Sequence, residues 1–258
     1  MSNTIHPTAI VDPSAELGQG NQIGPYAIIE KDVVLGDNNM IASHAVIKKG
    51  TRMQHGNRVF EHAVLGGIPQ DLGFNEAMES YLEIGSHNVL RESVTIHRAS
   101  KVEQSTIIGD HLFMMNLAHI GHDCKLGNNI IIAPSTGIGG HVHIENRAFI
   151  SGGVMVHQFI HIGRFAMIGG NCKVTQDVLP FMITDGVPGT VHGLNLVGLK
   201  RAGFSREDIK ALKQAYQILF RQSLCLSDIL AELRKLDSTH VEHLAGFIEA
   251  AKRGFHRE

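Results

Sequence analysis

From Ile5 onward an apolar residue returns every six positions: Ile5, Val11, Leu17, Ile23, Ile29, Leu35, Ile41, Ile47, Met53, Val59 and Leu65. The same beat runs through Ile84, Leu90 and Ile96. It then continues from Ile108 through Met114, Ile120, Leu126, Ile132, Ile138, Ile144, Ile150, Val156, Ile162 and Ile168 to Val174. A spacing of six suits neither the 3.6-residue period of a helix nor the two-residue period of a strand. Repeats this short stack as a parallel β-helix, each hexad giving one short strand and one corner. Small residues often fill the fifth position, as at Ala9, Ala15, Ala27, Ala45 and Ala63, where a bulky interior neighbour leaves little room. With three hexads per coil, the hexads opening at Ile120, Ile138 and Val156 lie above one another.

The beat breaks twice, predicting loops that project from the coil at about 66–82 and 98–107. The first holds Gln70, Asp71 and Phe74. Long excursions from a strict solenoid are common places for binding residues or subunit contacts. The β-helix is expected to end near Pro180, with a turn-rich stretch to Gly193 and a helical period beyond. Ser205 and Asp208 form a capping-box pair ahead of Ile209, Leu212, Tyr216, Leu219 and Phe220. Ser227 is expected to cap a second helix with Leu230 and Leu233, and Val241, Leu244 and Ile248 mark a third. The predicted organisation is therefore a mainly β hexapeptide-repeat domain at 1–190 and a small α-helical C-terminal domain at 191–258.

Composition narrows the function. A formal charge of −2 argues against a dedicated nucleic-acid binder. Cys124, Cys172 and Cys225 are scattered and lack Cys-x-x-Cys spacing, as expected in a reducing cytoplasm. No secretory leader and no membrane-length apolar run is evident. The segment 192–258 carries eleven Lys/Arg against eight Asp/Glu, concentrated at Lys200, Arg201, Arg206, Lys210 and Lys213. Such a face suits an acidic partner or a phosphorylated ligand.

The stacked hexads bring His119, His122, Gly140, His141 and His157 to one patch. An imidazole that titrates near neutrality is a natural general base, which makes His122 the candidate. Asp123 is its candidate orienting carboxylate, provided that a corner turns the two adjacent side chains toward each other. Gly140 would let a ligand approach a backbone N–H, as an oxyanion requires, or would merely permit a corner. Clustered histidines also raise a zinc reading. The γ-type carbonic anhydrases are hexapeptide β-helix trimers, but they place two ligands five residues apart, a spacing found between no two histidines here. No metal is therefore expected.

Five segments carry a more specific signal: Ile96-His97-Arg98, Asn116–Asp123, Gly140-His141-Val142, Val156-His157-Gln158-Phe159 and 198–205. Together they resemble the UDP-N-acetylglucosamine O-acyltransferase family along essentially the whole chain. The resemblance implies a left-handed β-helix, a homotrimer with sites between subunits, and no cofactor. It implies transfer of an R-3-hydroxyacyl group from acyl carrier protein to the sugar 3-position, the first step of lipid A biosynthesis. It assigns His122 as base with Asp123 beside it, and Gly140 as oxyanion donor. Substrate contacts are implied at Gln70, Asp71, His119, His141, His157 and Gln158. Gly170 is implied as the floor of an acyl groove, and Asn195 and Arg201 as nucleotide contacts. The chain departs from the family pattern in four places. A lysine is missing after Asp71-Leu72, Val197 replaces an acidic residue, Ala202 replaces an arginine, and 186–189 differs. These fall on substrate-facing segments, so the acceptor stays open between a 3-hydroxyl and a 3-amino UDP-sugar.

Overall fold

The computed structural model describes residues 2–251 and 253–257. Short strands follow one another from Thr4–Ile5 to Lys173–Val174 and pair in parallel with the strand one coil on. Thr4 pairs with Gln22, Ile10 with Ile28 and Glu16 with Val34, so the register is eighteen residues. Three parallel sheets result, the three faces of a β-helix. From Ile23 onward the first residue of each hexad points inward: Ile41, Ile96, Ile120 and Ile138 are all buried. The fifth position shares that interior, with Ala27, Ala45 and Ala63 fully enclosed. Each buried isoleucine, leucine, valine or methionine of the repeat is worth roughly 1.5–3 kcal/mol, the alanines less.

Many corners contain a residue with left-handed backbone, among them Asn38 (φ 57°), His44 (60°), Asp123 (60°) and His141 (59°). Asn, Asp and His tolerate this region better than most side chains. Inside the coil, Asn21, Asn39, Asn57 and Asn88 form a buried ladder. Each side-chain oxygen accepts from the backbone N–H of the next rung, at 2.8 to 2.9 Å. Their spacing of eighteen, stretched only across the first loop, was visible in the chain.

Both interruptions are projecting loops, slightly shorter than the expected 66–82 and 98–107. Strand Val64–Gly67 runs into the first and Tyr81–Ile84 leaves it; the second lies between Thr95–His97 and Ser105–Ile108. The register records them. Arg58 pairs with Val89 and Thr95 with His119, so these coils hold 31 and 24 residues.

The stretch expected to be only turn-rich is instead an antiparallel hairpin, Met182–Asp185 with Thr190–Leu194, the first strand of which still pairs with Met167 and Ile168. A second core begins at Leu179 and includes Phe181, Met182, Leu199, Leu212, Leu233 and Leu244. Among the described residues four helices surround it: α1 (Leu196–Arg201), α2 (Arg206–Arg221), α3 (Leu226–Arg234) and α4 (Thr239–Ala250). The Ser205–Asp208 capping box on α2 is present in both directions. For α3 the expected start is two residues late: Cys225, not Ser227, is the N-cap, and Ser227 lies inside the first turn. Among the described residues, no helix is long and apolar enough to cross a membrane.

Candidate active site

The second face of the coil carries strands His119–Ile120, Gly137–Ile138 and Met155–Val156, stacked in register. His122, Gly140 and Gln158 follow them at one corner. There the backbone reverses hand at Asp123, and this decides whether adjacent side chains can cooperate. In a continuing strand they would diverge. At this corner His122 Nδ1 lies 2.6 Å from Asp123 Oδ2. An ionised carboxylate can only accept, so the proton sits on Nδ1 and Nε2 keeps its lone pair.

Asp123 is well supplied with donors. Ser100 gives its backbone N–H at 3.2 Å to each oxygen and its hydroxyl at 2.7 Å to Oδ2. Burial pushes the Asp123 carboxyl up, but the bonds from His122 and Ser100 and the nearby His141 outweigh it and hold it below its ordinary value. His141 Nε2 is 3.5 Å from the same oxygen, and its ring stacks on Phe159 at 4.5 Å. Burial depresses His141, against the pull of Asp123.

A cavity of about 380 Å³ opens beside the dyad, lined by Gln70, His97, His119, His122, Gly140 and Gln158 among others. Gly140 is needed there for space. A Cβ at this position would stand 2.8 Å from His122 Nε2 and 2.9 Å from Cε1. Its backbone is not left-handed, so the corner alone does not demand glycine. His119 is held by Thr95 Oγ1 at 2.8 Å and is depressed by burial and by the His122 charge. His97, edge-on to His119 at 4.8 Å, is pushed by burial down to about 4 and is neutral near pH 7.

The other expected residues stand outside the lining of this cavity, although the Asp71 charge reaches His141. Asp71 is exposed and accepts from Gly73 N in its own loop. His157 is exposed beside the guanidinium of Arg253. Gly170 lies at the corner before the second face rather than after it, exposed, with only Gly152 O near its absent side chain. Asn195 and Arg201 line a second cavity of about 400 Å³ on the first face, with Phe149, Met167 and Val197. Asn195 is itself the N-cap of α1, accepting from Gly198 N and donating to Phe165 O.

One cluster of possible metal ligands occurs among the described residues: His122, Asp123 and His141. Two ligands of one tetrahedral zinc stand about 3.4 Å apart. The 2.6 Å contact between His122 and Asp123 is instead a hydrogen bond, and a metal would have to displace it.

Residues 177–256 match the model described as UDP-N-acetylglucosamine O-acyltransferase, domain 2, and residues 14–49 match the bacterial transferase hexapeptide model. An acyl-[acyl-carrier-protein]--UDP-N-acetylglucosamine O-acyltransferase of Alkalilimnicola ehrlichii is 47% identical, over 98% of this chain and 99% of its own. The chain belongs to the UDP-N-acetylglucosamine O-acyltransferase family. The UDP-N-acetylglucosamine acyltransferase of Bacteroides fragilis superposes on this family member with a TM-score of 0.95 at 38% identity, covering 98% of this chain and 99% of that one. The Acinetobacter baumannii structure gives 0.94 at 34% identity, with the same coverages.

The chain's pattern assigned no site role to His97, Ser100 or Met155, although His97 lies in one of the segments that carry the resemblance. His97 and Met155 follow the eighteen-residue stacking once the second loop is allowed for, so their signal was present. Ser100 had none, because it lies in the loop where the repeat is broken.

Proposed function

We propose that this chain moves an R-3-hydroxyacyl group from acyl carrier protein to the 3-hydroxyl of UDP-N-acetylglucosamine, the first step of lipid A biosynthesis. The observation that carries the reading is the His122–Asp123 pair beside an open cavity, in a chain whose full-length relatives are named acyl-[acyl-carrier-protein]--UDP-N-acetylglucosamine O-acyltransferases. His122 Nε2 takes the proton of the sugar hydroxyl as its oxygen attacks the thioester carbonyl. Asp123 fixes the ring and offsets the imidazolium charge. The Gly140 N–H is the candidate donor to the tetrahedral oxyanion. Collapse breaks the carbon–sulfur bond, and the imidazolium returns its proton to the leaving thiolate.

The reading includes a homotrimer. The histidine corner and the Asn195–Arg201 cavity lie on different faces of one coil, so a ligand touching both requires two chains. Above Arg58 the face that carries this cavity presents an apolar row outward, Val89, Phe113, Ile131, Phe149 and Met167, half-buried in a single chain. An acidic carrier protein would be drawn to Lys200, Arg201, Arg206, Lys210 and Lys213. A cytoplasmic location follows from these soluble substrates. The test is turnover of a panel of 3-hydroxyacyl carrier-protein thioesters against UDP-N-acetylglucosamine and its 3-amino analogue. Product with the hydroxyl acceptor supports the reading. Product with the amino acceptor alone replaces it with an N-acyltransferase.

A further inference from the structure

The second projecting loop breaks the repeat directly beneath the candidate base. Thr95 pairs with His119 and Ile96 with Ile120, and the loop leaves the coil at Arg98, just after that strand. The loop is pinned at both ends by backbone bonds, two at its entry and one at its exit, and all three acceptors flank or belong to the first projecting loop. Arg98 N donates to Gly67 O (3.0 Å), Ala99 N to Tyr81 O (3.1 Å) and Glu103 N to Glu79 O (2.9 Å). Ala99 is fully buried. Ser100 is thus delivered to a fixed place, and both donors of this one residue go to the Asp123 carboxylate. From the other side, Thr106 Oγ1 accepts from Asp123 N at 2.8 Å. Oδ2 is therefore shared between Ser100 Oγ at 2.7 Å and His122 Nδ1 at 2.6 Å.

We propose that Ser100 is a positioning residue for acyl transfer, acting through Asp123 to hold His122 in the tautomer that leaves Nε2 free. The proposal rests on the assignment of His122 as base. It gives the 98–104 loop a role, as an arm that grips the carboxylate. Without the hydroxyl, Asp123 still pairs with His122 but is oriented by the Ser100 N–H alone, so it holds the ring less firmly. Its negative charge is also less shared, so it stabilises the imidazolium more strongly and moves the acid limb of the rate profile to higher pH. Hydrogen bonds to charged groups are strong enough that kcat should fall roughly tenfold.

The experiment compares wild type, Ser100→Ala and Ser100→Thr. Steady-state rates across pH are measured with a 3-hydroxyacyl carrier-protein thioester and UDP-N-acetylglucosamine. The low-field proton NMR signal of the His122 Nδ1–H, identified by its loss in His122→Gln, is recorded without substrate. The proposal expects a fall in kcat with KM for the UDP-sugar unchanged and an acid limb shifted upward in Ser100→Ala. It also expects a displaced or exchange-broadened proton signal, with threonine restoring each. A folded Ser100→Ala variant whose rate profile and proton signal superimpose on wild type overturns it, as does a threonine variant no better than alanine. If wild type turns over no such substrate, or His122→Ala is fully active, the proposed reaction falls. The proton signal then still reports whether Ser100 holds the pair.

Discussion

At the scale of single residues, the site depends on a corner rather than on a strand. The hexad pattern placed His122 and Gly140 one coil apart, and the resemblance pointed to them, but neither revealed how adjacent His122 and Asp123 face each other. That needed the left-handed backbone at Asp123. Gly140 was legible only as a permissive residue, whereas its real constraint is the His122 ring 2.8 Å from a missing Cβ. Gly140→Ala is therefore expected to displace the ring and lower kcat by about 10²-fold or more, within the range attributed to general-base catalysis. Circular dichroism should remain unchanged while turnover falls. His97 gives a second prediction. Its value is about 4 in the fold against 6.5 for a free imidazole, so the unfolded chain takes up that proton first as pH falls. The contribution to stability is complete above pH 6.5 and is lost progressively toward pH 4. Urea titrations across this window should show a shallower pH dependence for His97→Gln than for wild type.

At the scale of elements, the strands were legible because burial repeats every six residues and nothing competes with that beat. The hairpin at Met182–Leu194 was not, since its turn residues hide two strands that the last coil recruits by pairing. The α3 start was misplaced because Cys225 caps it without a side-chain bond. Inside the coil the asparagine ladder makes its own prediction. Asn57 accepts from Asn88 N and donates to Asn39 and to Gly85 O, so Asn57→Ala strands several buried polar groups. A loss of about 1–3 kcal/mol per orphaned group is expected by denaturant unfolding. The helices dock through Glu145, which accepts from His243 Nε2 and Arg164 N, both at 2.8 Å, with His161 Nε2 at 3.1 Å but off line for a hydrogen bond. Burial pushes Glu145 up, yet these neighbours together hold it far below 4.5. Its contribution is full above that value and fades as pH drops below it. Glu145→Gln should lower the melting temperature at pH 7, and the gap to wild type should narrow in acid.

At the scale of the whole molecule, one chain leaves the histidine corner and the Asn195–Arg201 cavity on separate faces, a division that no linear pattern discloses. Sedimentation should accordingly show a trimer of the 28.1 kDa chain. Trimers mixed from His122→Ala and Arg201→Ala chains should regain activity that neither variant has alone. Gly170 tests the acyl groove at the same scale. A Cβ there would meet only Gly152 O at 3.6 Å, an ordinary contact, so a side chain can leave the backbone without a clash. Gly170→Met should then shift donor preference toward shorter chains. Each methylene excluded costs about 0.8 kcal/mol, so two reduce specificity for the longest donors roughly tenfold. The central claim is acyl transfer with His122 as the base, and the most direct test is turnover by His122→Ala on a 3-hydroxyacyl carrier-protein thioester and UDP-N-acetylglucosamine. The account predicts an intact trimer whose rate is down by about 10²–10⁴-fold. A folded variant that keeps more than about a tenth of the wild-type rate would contradict it, because general-base catalysis is worth far more than that.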